Sequence, residues 1–277
     1  MSNGSRWIDV LISSLDKEEQ SPLGEKLPPF PPEELQRNTT GLSSEATLRQ
    51  AFAFYEDVVN AHSIAGRPLN EDSRVLDFGF GWGRISRVFM ERVRVGNIHG
   101  VDVDPSFTAL TNEFFGTGNF STCGAFPPTK LNAGTFDLVF AYSVFSHLSG
   151  PACHAWMEEF HRILKPGGLV AFTTRHVSFM DFCLWAGKQD GASSYWRALG
   201  SLFPDFEEAK RRYAAGELVH ASSEGVGGGG PRDSSFYGET WIPEQYARTA
   251  FAPGFEFVAG YFDGTKYDQS CFVLRKA

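Results

Sequence analysis

The stretch Val75-Leu76-Asp77-Phe78-Gly79-Phe80-Gly81-Trp82-Gly83 restricts this chain more than any other. A short apolar run ends in an acid, three glycines follow at alternate positions, and the helix-like run Arg84–Arg92 comes next. Glycine is required where the backbone turns with positive φ or where a ligand must come closer than a Cβ allows. A glycine-rich turn from strand to helix is a nucleotide-type cradle. The dinucleotide fingerprint spaces its glycines G-x-G-x-x-G around a pyrophosphate. Here the spacing is D-x-G-x-G-x-G, and a carboxylate at Asp77 would repel a phosphate. The cradle therefore suits a cationic or amine-bearing cofactor.

Further motifs follow in order. The run Ile98-His99-Gly100-Val101-Asp102 is a second strand ending in an acid, 19 positions after Gly83. That is close to the offset of about 20 at which an acid meets ribose hydroxyls in nucleotide-binding α/β units. Thr135–Ser143 is a further strand-like apolar run, and Leu164-Lys165-Pro166-Gly167-Gly168 a turn into another, Leu169–Phe172. Gly254–Phe257 and Cys271–Arg275 read as a closing pair.

Together these motifs resemble the class I S-adenosylmethionine-dependent methyltransferases, over roughly residues 45–175 and 250–277. The resemblance implies a Rossmann-like doubly wound α/β sheet, mostly parallel with an antiparallel last strand, and a cap inserted between strands five and six. It also implies S-adenosylmethionine as cofactor, with S-adenosylhomocysteine as product and no metal. Asp77, Gly79, Phe80 and Gly81 would meet the methionine portion, Asp77 ordering the amino end directly or through water. Asp102 would accept both ribose hydroxyls, with Val103 beside it, while Asp104 fits a helix cap better. Many members of the family place an acid before a Leu-Pro pair to receive the adenine amino group. The matching stretch here, Ser121–Pro128, has none. Adenine would then be held by backbone groups, by Thr122 or Cys123, and by apolar contact with Phe126 or Phe107, and Gly124, Ala141 and Tyr142 would also touch the cofactor. Cys123 has no basic neighbour in sequence to activate it as a nucleophile.

DNA adenine and protein glutamine methyltransferases carry an (N/D)-P-P-(Y/F) motif after the family's fourth strand; here Tyr142-Ser143-Val144-Phe145-Ser146-His147-Leu148 stands instead, which removes the amino-group subclass defined by that motif. His147 and His176 are the candidate catalytic bases, each set against the plainer reading of a packed, hydrogen-bonded histidine. Tyr237, Glu239 and Trp241 are candidate substrate-binding residues of the cap, and His220 a further one. The seven histidines are dispersed without a ligand motif, so no metal site is expected.

Bulk properties narrow the partners. The net charge is −8 without a basic stripe, which argues against a nucleic-acid substrate. No apolar run has the length of a membrane span or a signal h-region. Four scattered cysteines without a C-x-x-C pair suit a reduced, cytoplasmic setting. Along the chain, residues 1–42 read as an N-terminal arm, partly extended, in which 16–40, with Pro22, Pro28, Pro29, Pro31 and Pro32 among charges, are expected to have no fixed fold. Ser43 and Ser44 cap a helix, and 43–175 form the cofactor-binding core. Residues 176–250 form an aromatic cap, with 222–232, around the Gly227–Gly230 run, expected as a mobile segment. Residues 251–277 close the sheet.

The expected function is methyl transfer to an oxygen, nitrogen or carbon of a small-molecule metabolite. The alternatives are a non-catalytic scaffold or regulatory protein that binds the same cofactor, and a nicotinamide-dependent oxidoreductase. Asp77 and the glycine spacing oppose the latter.

Overall fold

The computed structural model describes residues 3–222 and 230–277, with side chains from Trp7 onward. Most of the segment expected to be mobile, 223–229, lies outside the described residues. Three helices come first, α1 (Asn3–Ser13), α2 (Glu33–Thr40) and α3 (Ser44–Ile64). Strands and helices then alternate: β1 (Val75–Phe78), α4 (Ser86–Phe89), β2 (Ile98–Asp102), α5 (Pro105–Phe115), β3 (Phe120–Thr122), β4 (Phe136–Ala141), α6 (Gly150–Ile163) and β5 (Leu164–Arg175). The inserted segment holds α7 (Ser178–Gly187), α8 (Ser194–Gly200), α9 (Phe206–Ala214), β6 (Val219–Ser222) and β7 (Gly238–Trp241). Helix α10 (Glu244–Ala250) and strands β8 (Phe255–Tyr261) and β9 (Gln269–Lys276) complete the chain.

Seven strands lie in the order β3-β2-β1-β4-β5-β9-β8, with β1 to β5 parallel and β9 antiparallel to both neighbours. This is the doubly wound sheet expected from the alternation, and the crevice at its topological switch point lies beyond the carboxyl ends of β1 and β4. One face packs on α3 and α1 through Phe54, Val58, Val75, Phe89 and Phe140. The other packs on α6 and α10 through Leu76, Phe78, Trp156, Phe160 and Phe172. Both faces are covered, so β1 is buried at every position, as a parallel strand should be.

Three expectations need correcting. The N-terminal arm is folded rather than free: Trp7 and Leu11 are buried, and Trp7 Nε1 donates to Val88 O at 2.9 Å. Arg87 explains why the prolines do not leave the arm loose. Its buried guanidinium donates to Pro28 O and Pro29 O, each at 3.0 Å, and lies 4.0 Å from the Phe30 ring centroid. The start of α3 is held by α2 rather than by Ser43, because Ser44 N–H donates to Gln36 Oε1 at 2.9 Å and its hydroxyl to Glu33 Oε1 at 2.5 Å. Finally, the inserted segment ends before 250. Ala247 and Phe251 join the core of the main sheet, which makes α10 the crossover leading into β8.

The insertion has a small core of its own around Met180, Cys183, Leu199, Phe206 and Trp241. Helices α7 and α8 meet at Gly187 and Gly200, where a Cβ on either would lie 2.6 Å from the other's Cα. Strand β7 is sewn to the main body. Thr240 N–H donates to Ser146 O at 2.8 Å and Gly238 N–H to His147 O at 2.7 Å, while Thr174 Oγ1 donates to Thr240 O at 3.1 Å.

Candidate active site

A cavity of about 740 Å³ opens over the carboxyl ends of β1, β2 and β4 and runs under the insertion. Its floor is the glycine loop. Gly79, Gly81 and Gly83 have φ of 78°, 51° and 77°. A Cβ at Gly79 would lie 2.5 Å from Val144 Cγ2, and one at Gly83 would overlap Phe115, so these two glycines serve packing. A Cβ at Gly81 would meet nothing within 4 Å, so that glycine keeps the backbone open to the cavity.

Asp102 stands at the cavity edge where β2 ends. Its Oδ2 accepts from Gly81 N–H and its Oδ1 from Asp104 N–H, each at 2.9 Å. Each oxygen thus keeps a lone pair for a ligand hydroxyl. Burial raises its pKa, and the two backbone donors oppose the shift. Asp104 caps α5 as expected, accepting from Ser106 N–H at 3.0 Å. Beside Asp102 the wall is formed by Val103, Phe107, Cys123 and Ala125. Burial pushes the Cys123 thiol up to about 12, which makes it an inert wall residue.

Asp77 departs from its expected place. Only 1 % exposed, it lies beneath the loop rather than in the cavity, and accepts from Ser86 Oγ at 2.7 Å. Burial pushes its carboxyl up to about 7. The acid therefore supports the loop from below, because the chain turns at Gly79 before the side chain could reach the ligand space. Gly124 and Ala141 also lie outside the cavity lining, as does Thr122, which bonds Thr108 Oγ1 at 2.9 Å. Phe80 lines the cavity while its ring packs on Phe120.

Where β4 ends, Tyr142 and Ser143 line the cavity. The Tyr142 hydroxyl and Trp82 Nε1 are buried without a hydrogen-bond partner among the described residues. Arg84 lies 4.8 Å from the Tyr142 ring centroid and donates to Gln50 Oε1 at 2.7 Å. Ser143 adopts φ of 57°, an uncommon conformation away from glycine. A closed set of bonds holds it: Ser143 N–H donates to Thr173 Oγ1 at 2.7 Å, Thr173 Oγ1 to Gln269 Oε1 at 2.7 Å, and Gln269 Nε2 to Ser143 Oγ at 2.9 Å.

His147 lines the cavity and stacks on Tyr237, with centroids 4.8 Å apart and planes 5° from parallel. Its Nδ1 lies 2.8 Å from Gly238 O and 3.4 Å from Glu239 Oε1. Both neighbours are acceptors, so Nδ1 carries the proton and Nε2 is left as the free acceptor. Burial lowers the His147 pKa, and the Glu239 charge pulls the other way. Glu239 is itself buried and paired with Arg175, whose Nε donates to Oε2 at 2.7 Å. It supports the cavity wall rather than lining it.

The other histidine candidate is not at the site. His176 stacks on Phe262 at 3.5 Å and bonds Ser178 Oγ at 2.8 Å, outside the cavity lining. Trp241 is fully buried in the small core of the insertion, and His220 is turned to Thr240 Oγ1 at 2.8 Å. The register pairs Trp241 with Val219 and His220 with Thr240, so the two side chains lie on opposite faces of the ribbon, and neither lines the cavity. Sequence reasoning passed over Arg84, Arg175, Tyr195, Gln269 and the segment Thr39–Leu42, all of which line the cavity. Arg84, directly after Gly83, was the most findable of them. Among the described residues no cluster of three or more His, Cys, Asp or Glu could hold a metal ion, and no helix is long and apolar enough to cross a membrane.

Residues 75–168 match the family described as a methyltransferase domain. A malonyl-[acyl-carrier protein] O-methyltransferase from Marinomonas sp. (strain MWYL1) is 28 % identical over 126 residues, 45 % of this chain. The match spans 46 %, about half, of that curated relative's length. Among solved structures, an amino pentose methyltransferase from Micromonospora echinaspora with S-adenosylmethionine bound is 16 % identical. That comparison covers 90 % of this chain and 98 % of the other, with a TM-score of 0.51. Magnesium protoporphyrin IX methyltransferase from Synechocystis PCC 6803 is 14 % identical over 82 % of this chain and 86 % of the other, with a TM-score of 0.48.

Proposed function

We propose that this chain, which carries a class I S-adenosylmethionine-dependent methyltransferase domain, transfers a methyl group to an oxygen, nitrogen or carbon of a small-molecule acceptor. The observation that carries the reading is the continuity of one cavity from Gly81 and Asp102 to His147 and Arg175, so that cofactor and acceptor would share one space.

The residues present fit the cofactor. The two free lone pairs of Asp102 match a pair of ribose hydroxyls. Val103, Phe107, Cys123 and Ala125 offer apolar contact to adenine. Gly81 leaves room for the amino-acid portion, and the unpartnered Tyr142 hydroxyl beside Arg84 supplies donors for its carboxylate. When bound, the cofactor supplies an electrophilic methyl on a sulfonium.

The work left to the chain is alignment and exclusion of water. Thr39–Leu42 wall one side of the cavity and the insertion the other. A proton leaving the acceptor has His147 Nε2 as its receiver, with the tautomer held by Gly238 O and Glu239. Titration calorimetry with S-adenosylmethionine, S-adenosylhomocysteine and NADH tests the cofactor, and label transfer from methyl-labelled S-adenosylmethionine tests turnover. Tight binding of NADH alone would defeat the reading. Cofactor binding without label transfer to any of a broad set of acceptors would favour a non-catalytic scaffold.

A further inference from the structure

The cavity end beyond His147 is rich in hydrogen-bond donors. Arg175, the last residue of β5, reaches it with its side chain 10 % exposed and its guanidinium 4.0 Å from the Phe179 ring centroid. Nε is committed to Glu239, whereas the two terminal nitrogens make no hydrogen bond among the described residues. The nearest other carboxylate, Asp268, is 3.7 Å from NH1 and largely exposed. Tyr195 of α8 and Tyr237 line the cavity too, Tyr195 in the electrostatic field of Glu239 and Arg175 and Tyr237 in that of Arg232, Glu239 and Arg175. Their hydroxyls also lack hydrogen-bond partners among the described residues. Burial raises both phenol pKa values, which keeps the protons on as donors.

From this convergence of one guanidinium edge and two phenols, and resting on the methyl-transfer reading above, we infer that the acceptor is an organic acid whose carboxylate is held by Arg175, Tyr195 and Tyr237. Planar carboxylate geometry matches a guanidinium edge. The carboxylate is a handle rather than the methylated group. Hydrogen bonds from a guanidinium draw electron density from an oxygen and weaken it as a nucleophile, whereas a second group on the same molecule can lie against His147. The acid handle thus fixes which end of the acceptor meets the methyl.

The test uses the full chain saturated with S-adenosylhomocysteine, titrated calorimetrically with phenylacetate, 4-hydroxybenzoate and succinate and with the corresponding amides. At least one acid should bind ten or more times tighter than its amide. The double variant Arg175→Gln/Glu239→Gln leaves no stranded buried charge and should abolish that preference. Tyr195→Phe alters an exposed side chain, and it should reduce the preference at least threefold, which carries the test if the double variant does not fold. Equal binding of acids and amides, no binding of either, or a preference that survives these changes would overturn the inference. Should S-adenosylhomocysteine itself fail to bind the wild-type chain, the methyl-transfer reading falls and the inference with it. If it binds and acids are not preferred, only the inference falls.

Discussion

Asp102 Oδ2 accepts the Gly81 N–H at 2.9 Å across 21 positions of sequence, and this contact ties the end of β2 to the open point of the glycine loop. One residue therefore shapes the glycine loop and faces the cavity above it.

Replacing Asp102 by Ala should weaken S-adenosylmethionine at least tenfold, since hydrogen bonds to a charged group are worth about 1.5–3 kcal/mol each. Asp104→Ala, which removes only the cap of α5, should leave affinity within about threefold, a shift worth roughly 0.6 kcal/mol. Titration calorimetry on both variants checks the contrast. Equal losses would mean that the two acids act only through the fold.

The glycines should separate by consequence. Gly81→Val opens onto empty space, so the cost to folding is the left-handed strain of about 1–2 kcal/mol while the cavity is obstructed. Gly83→Ala drives a Cβ into Phe115 and Thr111 and should lower the melting temperature more. Thermal unfolding and cofactor titration are read together. A Gly81→Val chain that binds S-adenosylhomocysteine as wild type does would remove Gly81 from the cradle.

Asp77 predicts a pH effect on stability. Burial raises its carboxyl to about 7, above the unfolded value of about 3.9. The folded state holds this proton more tightly than the unfolded state. The stability contributed by the group is therefore complete below about pH 4 and is lost as pH rises to about 7, at no more than roughly 1.4 kcal/mol per pH unit. Asp77→Asn should flatten the fall in melting temperature between about pH 4 and 7. An unchanged slope would place the pH dependence elsewhere.

For the two histidines we expect opposite outcomes. His147→Gln should lower kcat by about 10²–10⁴, the usual size of a general-base contribution, with S-adenosylhomocysteine affinity nearly unchanged. His176→Gln should stay close to wild type, because that ring stacks on Phe262 away from the cavity. Comparable losses in both would count against His147 as the proton acceptor.

Trp7→Ala tests the N-terminal arm. The side chain is 2 % exposed and bonds Val88 O, so its loss should destabilise the chain by about 3–5 kcal/mol. Denaturant unfolding measures this. A loss below about 1 kcal/mol would mean that the arm adds little to the fold.

How far the sequence reaches is clearest in particular residues. The alternation from Val75 to Arg175, the positive-φ glycines, the acid ending β2 and the cap at Asp104 are local matters. Each rests on a period, a steric rule or a spacing confined to a few neighbours, so the order of the elements and the cradle were legible without a structure. Asp77 was misread because spacing puts an acid at the strand end without saying on which side of the turn its side chain lies. The prolines of the arm suggested a loose chain, and only the buried Arg87, which takes the carbonyls of Pro28 and Pro29, reveals why the arm is held. Glu239 reaches Arg175 across 64 positions, and Gly238 reaches His147 across 91. Nothing in either local sequence marks these pairings, because they follow from β7 docking against the ends of β4 and β5. Sequence alone determined the order of the elements, the glycine loop and the acid that ends β2; long-range packing alone decided on which side of the loop Asp77 lies and which histidine, arginine and tyrosines line the cavity.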